Sequence, residues 1–418
     1  MTSSRVQTDP ATGPFLYSGS ALSRRINRGK ERTSSLLPAN TDGSTLDFNL
    51  TYALPSVVAF SRASSGTYID SQGKVRTAAS DVPRFDHDPI SLKPLGLLSE
   101  APATNFLCWS NSLNTSGGAN NWIHSQVTFI GLVEAPSGLL EAPAFTAYEA
   151  GYQAGVSNFP NIITSGTWTF SVWVMRVDET DGSGEVMVMV DEDNLIEEEI
   201  PSKTWIRLSV TGFTASPSPG VFSLRSGTKF AVWGAQLEVG SAASSLIVTE
   251  SSLSTRAGDF ASLSGKSLDI AVDRSQGTFL VVGDRYDSTP TVSRMMTLQD
   301  TTAFNNEISA SITFNGGRLR IIHRGTSQAQ ITGMPPGIQA AAVRRIAFRY
   351  GTNDAFVAVN GFPGSPDTSV IVAEFDIMRI GHVATSATAW DWTRGHISRI
   401  KYWPFKFSNA QLAALSAG

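Results

Sequence analysis

The sequence predicts an all-β protein: two antiparallel β-sandwich modules behind an extended N-terminal arm, with a short C-terminal helix. Three observations carry this. Aromatic and β-branched residues recur in short alternating runs separated by Gly, Ser, Asn and Pro. Charged residues make up only 16% of the chain, against about 25% in a typical soluble domain, too few for long salt-bridged helices. A length of 418 residues also exceeds what one core usually holds, which points to two domains of ordinary size.

Residues 1–46 are rich in Ser, Thr, Gly, Pro and Arg without apolar periodicity, and read as an extended arm. Its "SRRINRGKERTSS" gathers Arg24, Arg25, Arg28, Lys30 and Arg32, a basic cluster suited to docking on a partner. The first module is placed at 47–258. There "LDFNLTYAL" alternates, and "GTWTFSVWVMRV" sets Trp168, Phe170, Val172 and Val174 on one face of a strand with Trp173 and Met175 on the other. "GEVMVMVDEDN", "KTWIRLSVTGF", "GVFSLRSG" and "TKFAVWGAQLEVG" continue the series. The Ser-rich "GSAASSLIVTESSLSTRAGD", residues 240–259, reads as a linker to a second module at 259–418. In that module "SLDIAVD", "GTFLVVGD", "VRRIAFRYGTNDAFVAVNGF" and "GHISRIKYWPF" read as strands, and "FNGG" and "VNGF" as tight hairpin turns. At the end, Ser408 and Gln411 are spaced as a capping box for a helix whose Leu412 and Leu415 face the sheet.

Several function classes lose support. A single cysteine, Cys108, rules out an internal disulfide framework or a Cys-based metal cluster, and a net charge of −4 argues against a dedicated nucleic-acid binder. No apolar run reaches membrane-spanning length and no secretory signal opens the chain, so synthesis and folding in the cytoplasm without membrane insertion are expected. Phosphate-cradling, dinucleotide, nucleophile-elbow and zincin motifs are missing, and no cofactor is implied. Paired carboxylates for glycoside cleavage leave no sequence motif, so a polysaccharide depolymerase stays as an alternative. Asp86, His87 and Asp88 look like a metal site, yet on a strand His87 points away from the two acids, and a turn or interface network is the reading. The acidic "DEDNLIEEE" lacks calcium-loop spacing and reads as a solvated hairpin. Trp390, Asp391 and Trp392 in "AWDWTRG", and Trp122 in "NNWIH", are the candidates for stacking on a sugar, while Trp168, Trp173, Trp205 and Trp233 are assigned to the core.

The run "FSRASSGTYIDSQGKVRTAASDVPRFDHDPISLKPLGLLSEAPATNFLCWSN" resembles a signature of tailed-bacteriophage virion proteins, in Arg62, Tyr68, Asp70, Arg84, Asp86, Asp88, Glu100 and Asn105 among others. The segment from "GTWTFSVWV" to "STRAGD" is similar to the carbohydrate-binding-like jelly roll that follows in those proteins, although "SLIVT" departs from the usual pattern at Leu246 and Ile247. "GHISRIKYWPFKFSNAQLAAL" resembles the closing strand and helix of concanavalin A or laminin-G-like modules.

The resemblance implies a non-enzymatic structural or adhesive virion component of tail-fibre, tail-tip or baseplate type. It would be held by other virion proteins through its arm, with host surface polysaccharide as a partner. A capsid- or neck-attached fibre or decoration protein without sugar binding is the alternative. Fibres of this kind are usually trimeric, but no heptad segment enforces a trimer here. Arg84, bracketed with the acids by Pro83 and Pro89, is expected to pair with Asp86 or Asp70 and pin this segment to the first sandwich.

Overall fold

Leu46, Phe48 and Leu50 alternate toward one face, and the sheet that buries that face is built mainly from the far end of the chain. A computed structural model describes residues 41–115, 121–149, 154–160, 164–178, 184–286, 292–302, 305–313, 316–333, 343–383 and 392–418. In it the strand Leu46–Asn49 pairs antiparallel with Gly395–Trp403, placing Phe48 opposite Ile400. Asp47 on the other face meets Arg399 and Lys401, and Asp42 also reaches Lys401. Residues 42–46, expected in the arm, thus already belong to a sandwich.

That sandwich is a carrier. One of its sheets runs in the order Phe362–Pro363, Asp354–Val359, Arg344–Gly351, Gln276–Gly283, Gly395–Trp403, Pro94–Ser99 and Phe85–His87, with Leu46–Asn49 sharing the edge of Gly395–Trp403. The other sheet runs Ala59–Ser61, Phe260–Ser264, Ile377–Ile380, Ser293–Gln299, Glu307–Thr313, Gly316–His323 and Thr326–Gly333. Phe48, Phe279, Met296, Phe348 and Tyr402 lie in their common core.

A second, smaller sandwich is inserted into the carrier. Its sheets run Ile206–Thr214, Gly166–Arg176, Lys229–Val239, Leu140–Ala147, Val127–Glu134 and Asn194–Glu199, Glu185–Asp191, Gly220–Ser223, Gly155–Ser157, Ile123–Ser125. Trp168, Phe170, Val172 and Val174 fill its core while Trp173 and Met175 face outward layers, as the alternation predicts. Chain entry and exit are clamped together: Ala103–Asn105 pairs with Ser254–Arg256, Asn105 opposite Ser254. Asn105 completes the neck, its amide donating to the Ala235 and Ile247 carbonyls and its oxygen accepting from the Leu107 and Leu237 N–H groups.

The modules are therefore nested, and residue 258 is not the boundary between the sheets. Strands from both sides of the insertion build the carrier, because alternation marks a buried face but not the distant strand that covers it. Residues 240–259 are no free linker either, since Ser244, Leu246, Ile247, Thr249, Arg256 and Asp259 in this stretch are all buried. "SLDIAVD" contributes to a helix, Gly265–Ala271, with Leu268 and Ala271 buried at helical i, i+3 spacing where a strand was expected. "VNGF" does turn through positive φ at Asn360 (48°) and Gly361 (85°). Part of "FNGG" lies outside the described residues. Asp191 caps the acidic hairpin by accepting from the Asp193 and Asn194 N–H groups. The capping box of Ser408 and Gln411 starts the helix Asn409–Ala417, whose Leu412 packs on Leu280 and Trp403.

Truncating Phe48 should test the nesting. Phe48→Ala is expected to cost about 3–5 kcal/mol in urea unfolding, the usual loss for a fully buried Phe. A cost below about 1 kcal/mol would mean that the N-terminal strand is not part of the carrier core.

Candidate functional site at the module junction

Five charged residues sit at or just beyond strand ends and turn toward the neck. Arg62 follows Ala59–Ser61, Arg84 precedes Phe85–His87, Glu100 follows Pro94–Ser99, Arg256 ends Ser254–Arg256 and Asp259 precedes Phe260–Ser264. Their side chains are at most 2% exposed. Arg84 is the centre: one terminal nitrogen reaches Glu100 at 2.8 Å and the other Asp259 at 2.5 Å. Arg62 meets the second oxygen of Asp259 at 3.1 Å, and Arg256 meets Glu100 at 3.4 Å. Further donors go to carbonyls, with Arg62 donating to Ser64 and Ala79, Arg84 to Thr67, and Arg256 to Ala101, while the Nε–H groups of Arg84 and Arg256 are buried without an acceptor.

The inserted module joins through Ser245, whose N–H and hydroxyl both donate to Glu100, at 2.8 and 2.6 Å. Tyr286 donates its hydroxyl to the same carboxylate at 3.0 Å. Burial would raise the Glu100 pKa, but Arg256 and Arg84 outweigh it and hold the carboxyl far below its usual range. Burial likewise opposes the Arg84 charge, and Asp259 and Glu100 more than restore it. A buried charge cluster is costly to break, at about 3–5 kcal/mol for loss of one partner. Gly66 leaves room beside it, because a Cβ there would crowd the side chains of Arg62, Arg84 and Arg256 at 3.2–3.3 Å.

A second charged layer adjoins the first. His396 lies between two acids, Nε2 at 3.0 Å from Asp86 and Nδ1 at 2.8 Å from Asp284. Both ring nitrogens then donate, which requires the imidazolium form. Burial lowers the His396 pKa, but Asp284 and Asp86 overcome it and raise it to about 10. Asp86 also accepts the Ile69 N–H at 2.5 Å.

Other expected site residues fall in different places. Arg84 pairs with neither Asp86 nor Asp70. Asp70 is taken by its own turn and by Arg76, while Asp86 is committed to Ile69 and His396. Asp88 accepts from the Ser91 and Ile90 N–H groups of the next turn, so it does not share a ligand with Asp86. His87 is buried, with Nδ1 near the Ile69 carbonyl. Among the described residues no three His, Cys, Asp or Glu side chains gather as a metal site. Trp122 is 1% and Trp392 2% exposed, so neither ring is open for a sugar to stack upon. Trp392 instead donates its indole N–H to the Asp259 carbonyl, bracing the cluster. Trp390, Asp391 and the basic group from Arg24 to Arg32 lie outside the described residues. Sequence reasoning missed Ser245, Arg256, Asp259, Tyr286, Asp284 and His396. The usable signal was "TRAGD", a charge pair at the end of a Ser-rich stretch otherwise almost free of charge.

No family model and no curated protein matches the chain. Similar solved structures include the CBM40 domain of the Ruminococcus gnavus IT-sialidase bound to alpha2,3 sialyllactose, at 12% identity and TM-score 0.29 over 34% of this chain and 83% of that one. Mouse laminin alpha1 domains LG4-5 align at 10% identity and TM-score 0.26 over 62% and 96%. The CBM22 tandem of Paenibacillus barcinonensis Xyn10C aligns at 9% identity and TM-score 0.25 over 74% and 99%. At these scores the alignments carry no argument, and the two-sandwich architecture rests on the sheet order itself.

His396 makes the junction pH-sensitive. Its pKa is about 10 when folded and near the ordinary 6.5 when unfolded, so its contribution is complete below pH 6.5 and is lost as pH rises through 10. Urea midpoints measured from pH 6 to 10 should fall more steeply for the wild type than for His396→Gln. Parallel curves would contradict the assignment.

Proposed function

We propose that the chain is a non-enzymatic structural and adhesive component of a tailed-phage virion, of tail-fibre or baseplate type, with its arm as the docking element. One observation carries this reading: the signature residues Arg62, Arg84, Glu100 and Asn105 converge on the neck that fixes the inserted module to the carrier. Such a signature encodes a rigid connection, which suits a particle-borne protein more than a catalyst. The carboxylates of the cluster support the non-enzymatic part, because Glu100 and Asp259 are occupied by arginines and hydroxyl or amide donors. Lectin-like sandwiches suit an adhesive role toward host surface polysaccharide, although fold alone does not supply a sugar site.

Assembly tests the proposal. Deleting residues 1–40 should leave the thermal unfolding of the remainder unchanged and abolish incorporation into particles, read by immunoblot of purified virions. Full incorporation of the truncated chain would remove the docking role. Release of reducing ends from host polysaccharide by the purified protein would replace this reading with the depolymerase.

A further inference from the structure

Beside the second charged layer, the junction forms an open chamber of about 240 Å³ lined from both modules, with Trp173 and Leu246 from the insertion and Leu98 and His396 from the carrier. A second cavity of about 380 Å³ shares Arg207, Ala243 and Tyr286 with it and is rimmed by Ser209, Thr211 and Ser241. Taken together they fall in the roughly 300–1,000 Å³ range of small-molecule sites, and module junctions are a usual location for such sites.

One N–H on each of two lining residues is without an acceptor. Trp173, 6% exposed, has a buried indole N–H without an acceptor. Arg207, at the boundary of the two cavities, donates to the Ser244 carbonyl at 2.8 Å and to the Ser171 hydroxyl at 2.9 Å, and its Nε–H is buried without an acceptor. A guanidinium offers five N–H donors, and among the described residues no carboxylate comes within ion-pair distance of this one. Neighbouring charges are already matched, Glu100 by Arg84 and Arg256 and Asp86 by His396. Glu238 is a poor counter-ion: Ser244 and Gln236 hold it, and burial pushes its carboxyl up. Burial lowers the Arg207 pKa, a penalty that Glu238 and Glu100 only partly offset.

We propose that this junction site binds the terminal residue of an acidic saccharide, with its carboxylate on Arg207, its ring in the chamber beside Trp173, and later hydroxyls on the rim of Ser209, Thr211 and Ser241. The carboxylate supplies the planar anion that a half-buried guanidinium without a carboxylate partner selects, and the hydroxyl-bearing rim suits a sugar chain over an aliphatic acid. The inference rests on the adhesive reading and gives it a site and a substrate class.

The test uses the full chain with glucuronic, galacturonic and N-acetylneuraminic acids as probes and glucose and galactose as neutral controls, by saturation-transfer NMR and calorimetry. At least one acid should bind about ten-fold or more tighter than the neutral sugars, and Arg207→Met and Ser209→Trp should each weaken it about ten-fold or more. Ser209 is exposed on a strand, so Ser209→Trp should block the rim at unchanged unfolding temperature even if Arg207→Met destabilises the fold. Binding of no acid, equal binding of neutral sugars, or undiminished binding by Ser209→Trp would overturn the site. Adhesion to host cells is measured in parallel: if it survives both substitutions, the adhesive reading stands without this site, and if the wild type does not adhere, that reading fails.

Discussion

Charge burial at the junction is the constraint on which the rest depends. Three guanidinium groups and two carboxylates cannot leave water singly, because an unpaired buried ion costs several kcal/mol. They are tolerable only when Arg62, Arg84, Glu100, Arg256 and Asp259 arrive together, and each comes from a different strand end. The neck pairing, the close approach of the backbone at Gly66 and that of Ser245 accompany that requirement. The inserted module meets this cluster through Ser245, whose N–H and hydroxyl bonds to Glu100 favour one placement of its loop.

Nesting gives the constraint its mechanical sense. A module joined by one linker swings, whereas one whose two ends pair with each other and whose loop bonds Glu100 is held at several points. Intramolecular domain interfaces are often loose and polar; this one is polar but densely hydrogen-bonded. The same closeness creates the chamber beside Trp173 and Arg207, so the feature that fixes the modules also forms a concavity between them.

Local structure was legible in the sequence to the extent that it depends on neighbours in the chain. The two faces of Gly166–Arg176, the Asn360–Gly361 turn and the capped C-terminal helix all obey short-range rules. Nesting was not legible, because the partner of Leu46–Asn49 lies some 350 residues away and alternation carries no address. The importance of Arg84 was visible in its setting between prolines and acids. Its partners were not, since Asp259 is 175 residues distant and closer acids were available in sequence. Tryptophans in polar stretches suggested a sugar platform, yet burial of Trp122 and Trp392 puts their rings to structural use.

Scanning calorimetry of Asp259→Ala most directly tests whether the charge cluster makes the two sandwiches one cooperative unit. Asp259 touches both Arg62 and Arg84. The wild type should unfold in a single transition, and the variant should show two, with the carrier melting first. A single transition at unchanged temperature in the variant would contradict the account.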